Sequence, residues 1–369
     1  MASFDDLRDR ASQHPVISPL PRLASFYLDD VSIYKSINAF HRDLYDPEYR
    51  FEKDVIISEE THHSDYLRLH CTATPIGPRL NEVVDWTNQE HHHKLRRELL
   101  HQSGIKEYIL DSLTAEELVV LIIVDGLSYH DAEALDLPMQ PVFVDGITTT
   151  EPGFRRVIYG NNAQSIYSAL VNKKGFYQPY GFTYWSRGQE DLSTELHSAM
   201  GNNVYRIRDF NKAVDTLRSD GPFNKKTYVQ ITRMGFDQDS HNRKEEPNHE
   251  AVRDAIVSDL REIKSVANEV ADKYRIFATA DHGILWRSQL PEKPPVVVDE
   301  LAHHPRFVEG RIDVPYGLTL QSSVGDLTTG LGYPALAREL KHTEWGVHGG
   351  FSYYESIVPL IEITESDSI

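Results

Sequence analysis

A single cysteine, Cys71, is all the thiol this 369-residue chain carries. An intramolecular disulfide is excluded, and with it the usual mark of an oxidising compartment. Long apolar runs are missing as well. The longest aliphatic stretch, Leu118 to Val124, falls far short of the roughly 20 residues that cross a bilayer. The start, Met-Ala-Ser-Phe-Asp-Asp-Leu-Arg, is charged and has no apolar signal region. Together these absences predict a cytoplasmic protein with no membrane partner. Lysine is scarce too: of 38 basic residues only 14 are Lys, against 56 acidic ones, for a net charge of -18. Such a surface disfavours non-specific attraction to a long nucleic acid. It also fits work in concentrated salt, where screening relieves carboxylate repulsion. Internal repeats, heptads and low-complexity tracts are absent.

What is present is 40% apolar composition, enough for one large core or two moderate ones. Residues 1–116 mix short apolar patterns with charges and prolines and read as a mostly helical N-terminal segment. Asn81 to Leu113 carries its clearest helical pattern, with Val83, Val84, Trp86, Leu95 and Leu99 among the apolar positions. From residue 117 to 369 the texture becomes strand, loop and helix in alternation. LVVLIIVDG, PVFVDGITTT, a helical pattern from Asn162 to Val171, KTYVQITRMGF, an amphipathic stretch from Asn248 to Tyr274, and RIFATADHG follow in order. That alternation predicts an α/β fold with a mostly parallel sheet flanked by helices. In the amphipathic stretch Val252, Ile256, Leu260, Ile263, Val266 and Val270 recur at helical spacing and form a core-facing stripe. A proline-rich, strand-like insertion at about 285–340 interrupts the alternation and reads as a cap over a site.

Open α/β sheets place ligands beyond the carboxyl ends of their strands. There the chain sets Asp281 and His282, followed by Gly283, whose missing Cβ frees the backbone to aim both neighbours at one ion. Asp125 ends LVVLIIVDG; a carboxylate beside that run is costly to bury unless paired or metal-bound, though a solvated turn or helix cap suits it equally. Asp237 and His241 stand four apart, a spacing that shares one side of a helical turn and that also arises by chance among 18 His. His348 precedes Gly349 and Gly350, which suit close backbone approach to a ligand or a plain flexible turn. Three carboxylates and three imidazoles make the donor mixture of a zinc or manganese pair on a phosphate-type substrate. Thr148, Thr149 and Thr150 offer hydroxyls at the end of the second strand-like run. A threonine needs a base or a metal to act as a nucleophile. Thr150 is favoured, although spacing alone does not choose among the three, and threonines also serve as ordinary strand and cap formers.

Taken in order, these landmarks resemble the alkaline phosphatase superfamily and, within it, the PglZ-domain family. They are Val124-Asp125-Gly126, Thr150-Glu-Pro-Gly with Gly160 ten residues on, Asp237 to His241, Ala280-Asp281-His282-Gly283, and His348-Gly-Gly-Phe-Ser-Tyr-Tyr-Glu-Ser-Ile-Val-Pro-Leu. The match spans roughly residues 117–365. It implies an alkaline-phosphatase-like catalytic domain with a helical lead-in and a cap, acting as a two-metal phosphodiesterase on nucleotides or short oligonucleotides, in a family tied to phage defence. One divalent ion, zinc with manganese as the other choice, would sit on Asp125, Thr150, Asp281 and His282. Its partner ion would sit on Asp237, His241 and His348. Thr150 would attack phosphorus and pass through a phosphothreonine.

The chain departs from the pattern at Gly153, where related diesterases often carry Asn. A phosphate-oxygen donor would then come from Arg155, Arg156, Asn161 or Asn162, and His303, His304 and Arg306 could reach substrate from the cap. No sulfatase-type formylglycine motif is present, which disfavours sulfate esters. Two other readings stay open: a catalytically silent PglZ scaffold of a defence complex, and a phosphomonoesterase or phosphomutase. His91-His92-His93 lies among Lys94, Arg96 and Arg97 and reads as a solvated face rather than a metal site.

Overall fold

The structure, a computed structural model, describes residues 100–184, 193–200, 205–206, 210–241, 243–290, 292–298, 302–314, 317–321, 327–332, 335–367 and 369. Cys71, the 91–93 histidines and the helical pattern before Leu100 lie outside the described residues.

The chain divides into two units. The larger contains Leu100–Arg287, Leu340–His348 and Tyr354–Ile369. Its central sheet has seven strands: β1 (Leu118–Val124), β2 (Met139–Phe143), β3 (Gln178–Thr183), β4 (Tyr205–Arg206), β5 (Thr227–Arg233), β6 (Tyr274–Ala280) and, last in the chain, β12 (Ile357–Thr364). Their order is β2-β12-β6-β1-β5-β3-β4. The pairings of β1 with β5 and β6, of β3 with β4 and of β3 with β5 are parallel. β12 runs against both its neighbours, β2 and β6. The expected mostly parallel sheet flanked by helices is what the protein has.

Physical cause is plainest at β1. All seven of its residues are buried, as a strand between two parallel neighbours with both faces covered must be. Each large aliphatic side chain so buried contributes roughly 1.5–3 kcal/mol. The 22-residue helix His249–Val270 buries Ile256, Leu260, Ile263, Val266, Ala267 and Val270 on one face. Val252, counted in the expected stripe, packs against the core while only partly buried. Asn248 caps this helix by accepting from the Ala251 N–H at 3.1 Å. The pattern expected from Asn162 to Val171 forms a helix over Ile166–Lys174, because Ser165 caps it by accepting from the Ser168 N–H.

The sheet-bearing unit includes residues well before 117. Ile105–Ser112 is a helix whose Ile105, Ile109 and Leu110 are buried in the same core as β1. Two short strands, β7 (Leu285–Trp286) and β11 (Gly346–Val347), pair antiparallel within this unit. They keep the first residues of the expected insertion with the core.

The second unit, among the described residues, comprises Ser288–Glu339 and Gly349–Tyr353. Its strands β8 (Phe307–Glu309), β9 (Gly317–Gln321) and β10 (Leu327–Leu331) form an antiparallel sheet in the order β8-β10-β9. Ala302, Leu331 and Ala337 make a small core of its own. Gly350 was expected to serve a ligand; a Cβ there would lie 2.3 Å from the Leu331 carbonyl oxygen, so packing inside this unit already requires the glycine.

Candidate metal centre

Strand register brings the ligand candidates together. Val124, the last residue of β1, is level with Ala280 of β6 on one side and Arg233 of β5 on the other. Asp125 and Asp281 therefore leave adjacent strands side by side. Asp237 reaches the same place at the start of the short helix Asp237–Ser240, with its N–H 3.4 Å from the Asp125 carbonyl oxygen.

Asp281 is fully buried. Its Oδ1 accepts from the N–H groups of Gly126 at 3.0 Å and His282 at 2.9 Å. Its Oδ2 accepts no hydrogen bond, and neither does Oδ1 of Asp125, whose Oδ2 accepts from the Tyr184 hydroxyl. Two buried carboxylate oxygens without a donor are costly in this setting. A cation between them would remove that cost, so these residues fit a metal.

Two of the imidazoles, His282 and His348, are oriented by backbone carbonyls. His282 Nδ1 lies 3.1 Å from the Gly283 oxygen. Because a carbonyl only accepts, the neutral ring holds its proton on Nδ1 and presents the Nε2 lone pair outward. That lone pair faces Thr150 Oγ1 at 3.1 Å. His348 Nδ1 lies 3.1 Å from the Thr148 oxygen, and its Nε2 is 3.2 Å from Asp237 Oδ1. His241 Nε2 approaches the same Oδ1 at 3.3 Å. The His282 and His348 rings stack 4.1 Å apart. Two groups of donor atoms result, Asp237 with His241 and His348, and Asp125 with Asp237 and His282, each within 4.8 Å. Asp237 belongs to both.

Without a cation the carboxylates strain one another electrostatically. Burial, then the charge of Asp237, pushes Asp281 up to about 8. Burial together with Asp281 and Asp237 raises Asp125 well above the carboxylate range. For Asp237 burial acts upward but His348 and His241 outweigh it, holding it well below that range. Burial and the charge on His348 lower His282 to about 3. Burial opposes a proton on His348, yet Asp237 prevails and raises it. Displaced titrations packed this closely are typical of functional sites.

Thr150 begins the helix Thr150–Tyr159, with Thr149 as its N-cap residue. At Gly153 a Cβ would lie 2.2 Å from the Asp281 carbonyl oxygen. The helix thus packs directly on the strand end, and an Asn there could not be accommodated. The other expected substrate contacts are dispersed. Arg155 is exposed with its guanidinium 5.7 Å from the Tyr159 ring centre, and Asn161 is exposed beyond the helix. Asn162 accepts from Lys106 Nζ at 2.6 Å. His304, in the second unit, is exposed and stacks on Phe307 at 4.1 Å. Arg306 is fully buried and donates to the carbonyls of Gly332, Ala335 and Leu331. In these bonds its donors serve buried carbonyls and brace the second unit.

Two residues escaped the sequence reading. Tyr184, just after β3, is an isolated polar position with no motif around it. Gln102 was read as part of the lead-in, yet it is fully buried beneath Asp281.

No family model matches the chain, and no curated protein matches it in sequence. Among solved structures it is similar to human ectonucleotide pyrophosphatase/phosphodiesterase 5, with 12% identity over 66% of this chain and 87% of that one and a TM-score of 0.42. It is also similar to phosphonoacetate hydrolase from Sinorhizobium meliloti 1021, with 13% identity over 67% and 90% and a TM-score of 0.45. For the C-terminal periplasmic domain of phosphoethanolamine transferase EptC from Campylobacter jejuni the values are 11%, 69%, 81% and 0.35. These neighbours are alkaline-phosphatase-superfamily members. Likeness of this degree assigns neither activity nor substrate, and the side chains described above carry the functional reading.

Proposed function

We propose that this protein is a phosphoesterase dependent on two divalent cations, with Thr150 as its nucleophile. The observation that carries the reading is the convergence of Thr150, His282 and the two donorless carboxylate oxygens of Asp125 and Asp281 at the adjacent ends of β1 and β6. Asp125, Thr150, Asp281 and His282 would hold one ion, and Asp237, His241 and His348 the other. The mixed oxygen and nitrogen donors suit Zn²⁺, with Mn²⁺ as the alternative. Bound there, divalent cations supply Lewis acidity that favours the Thr150 alkoxide and offsets charge on phosphoryl oxygens.

The chain's own residues arrange the reaction. His282 fixes the place of the Thr150 oxygen, and the helix that begins at Thr150 aims it. In-line attack forms the bond from Oγ1 to phosphorus as the bond to the leaving oxygen breaks, and the proton lost from Oγ1 ends on the departing alcohol. Water then opens the phosphothreonine and restores Thr150. A nucleotide or short oligonucleotide diester as substrate, and a place in phage defence, rest on the motif resemblance to the PglZ-domain family alone.

The test is hydrolysis of bis(p-nitrophenyl) phosphate against p-nitrophenyl phosphate, after chelation and then with added Zn²⁺ or Mn²⁺. Metal-restored activity that is greater on the diester is the expected result. A preference for the monoester would favour the phosphomonoesterase or phosphomutase reading, and no turnover with any metal would favour a silent scaffold.

Tyr184 supports Asp125 from behind by taking up its Oδ2. Outer partners of this kind are typically worth about 10–100-fold in metal affinity. Tyr184→Phe should therefore weaken the ion on Asp125 by about 10-fold, with the ion on His241 and His348 unchanged. Calorimetric titration with Mn²⁺ separates the two, and equal weakening of both ions would contradict the assignment.

A further inference from the structure

Beneath the ligand cluster lies a buried relay that the reaction does not use directly. Gln102 Nε2 donates to the carbonyl oxygens of Ala280 at 2.8 Å and Asp281 at 2.7 Å. Gln102 Oε1 accepts from Arg156 Nε at 2.7 Å, and Arg156 Nη2 donates to the Ile147 oxygen at 2.7 Å. The direction of the amide is fixed by chemistry, since a guanidinium only donates and a carbonyl only accepts. A flipped amide would set N–H against N–H at one end and oxygen against two oxygens at the other.

Gln102 is completely buried and Arg156 nearly so. A second link runs beside the first: the Ser103 N–H donates to Asp145 Oδ1 at 3.1 Å, and the Ser103 hydroxyl to Asp145 Oδ2. Burial acts upward on Asp145, but His101, Arg156 and Ser103 outweigh it and hold the carboxyl far below its usual range. The two links thus join the loop at 145–147, the helix of Thr150 and the main chain of Asp281.

We infer that Gln102 and Arg156 are positioning residues that hold the Thr150 helix in register with the Asp281 strand end. The inference rests on the two-cation phosphoesterase reading and deepens it. Packing alone would be served by apolar side chains of similar volume, whereas a fully satisfied polar relay specifies one arrangement. Both residues act through main-chain carbonyls rather than by touching substrate. Their effect is on geometry, where a displacement of about 1 Å can cost about 100-fold in rate.

The test compares wild type, Gln102→Met and Arg156→Lys by steady-state kinetics on bis(p-nitrophenyl) phosphate and by Mn²⁺ calorimetry. Methionine keeps the length of Gln102 without its donors, and lysine keeps the charge facing Asp145 without the fork. Each variant should lose about 10–100-fold in kcat with KM within about threefold, and should bind the Asp281-side ion about 10-fold more weakly. The ion on His241 and His348 should be unaffected. If Gln102→Met fails to fold, Arg156→Lys decides alone. A folded variant with wild-type kcat and Mn²⁺ affinity, whatever its melting temperature, would overturn the inference. A wild type that binds no Mn²⁺ and hydrolyses no phosphoester would overturn the phosphoesterase reading and this inference with it.

Discussion

Thr150→Ala should lower kcat on a phosphodiester by about a thousandfold or more, the scale on which loss of an activated nucleophile is felt. The substitution removes one hydroxyl from the start of a helix and leaves Asp125, Asp281 and His282 in place, so the fold should survive, while the ion they would hold with Thr150 should bind more weakly for the loss of one ligand. Thr150→Ser should keep measurable turnover, since it retains the oxygen that faces His282 Nε2. Trapping with a phosphorylated intermediate gives a second readout: label should appear on Thr150 in wild type and be absent in the alanine variant. Unchanged diesterase and monoesterase rates in Thr150→Ala would remove Thr150 as nucleophile. Thr148 and Thr149 would then return as candidates, although the Thr148 hydroxyl belongs to a fully buried residue.

Removal of metal should have the other large effect, on stability and with a definite pH dependence. In the metal-free protein Asp281 titrates at about 8, against roughly 3.9 in an unfolded chain. A carboxyl raised in this way binds its proton more tightly when folded, so stability falls as pH rises from the lower value to the higher. Asp125 is raised and acts in the same direction. His348 is raised too, and its contribution is lost as pH rises through its folded value. His282, lowered to about 3, acts oppositely, but only between that value and roughly 6.5, its value when unfolded. Above about pH 6.5 the shifts therefore agree in sign. The chelated protein should melt at progressively lower temperature between about pH 6.5 and 8, and added Zn²⁺ or Mn²⁺ should raise the midpoint most at the alkaline end. A cation at 100 times its dissociation constant adds about 2.7 kcal/mol. Binding should also release protons over this range, which calorimetry in buffers of different ionisation enthalpy measures. A melting temperature that is flat with pH and indifferent to metal would contradict this account.

Much of the arrangement was legible because it follows from local pattern. β1, β5 and β6 declare themselves as apolar runs, and the residues after them carry chemistry that such runs do not need. Asp125, Asp281 and His282 could therefore be placed at strand ends before any geometry was known. The long helix was legible from its stripe, and its cap at Asn248 emerged from the structure. Strand order was not legible, because the insertion of β12 between β2 and β6 depends on pairings distant in the chain, such as Ile361 with Met139 and Leu360 with Thr279. Gln102 and Tyr184 left no trace for a related reason: each is one polar residue whose partner is set by tertiary contact. An arginine in a cap suggests a substrate anion, whereas the partners Arg306 has in the structure are buried backbone carbonyls that only the tertiary fold brings to it. Gly153 looked like the loss of a phosphate donor. The close approach of the Asp281 carbonyl shows why no larger residue stands there.

The most direct test is anomalous diffraction from crystals grown with Zn²⁺ or Mn²⁺. The account predicts two metal peaks, one bounded by Asp125, Thr150, Asp281 and His282 and the other by Asp237, His241 and His348. A single peak, or none, at the ends of β1, β5 and β6 would contradict it.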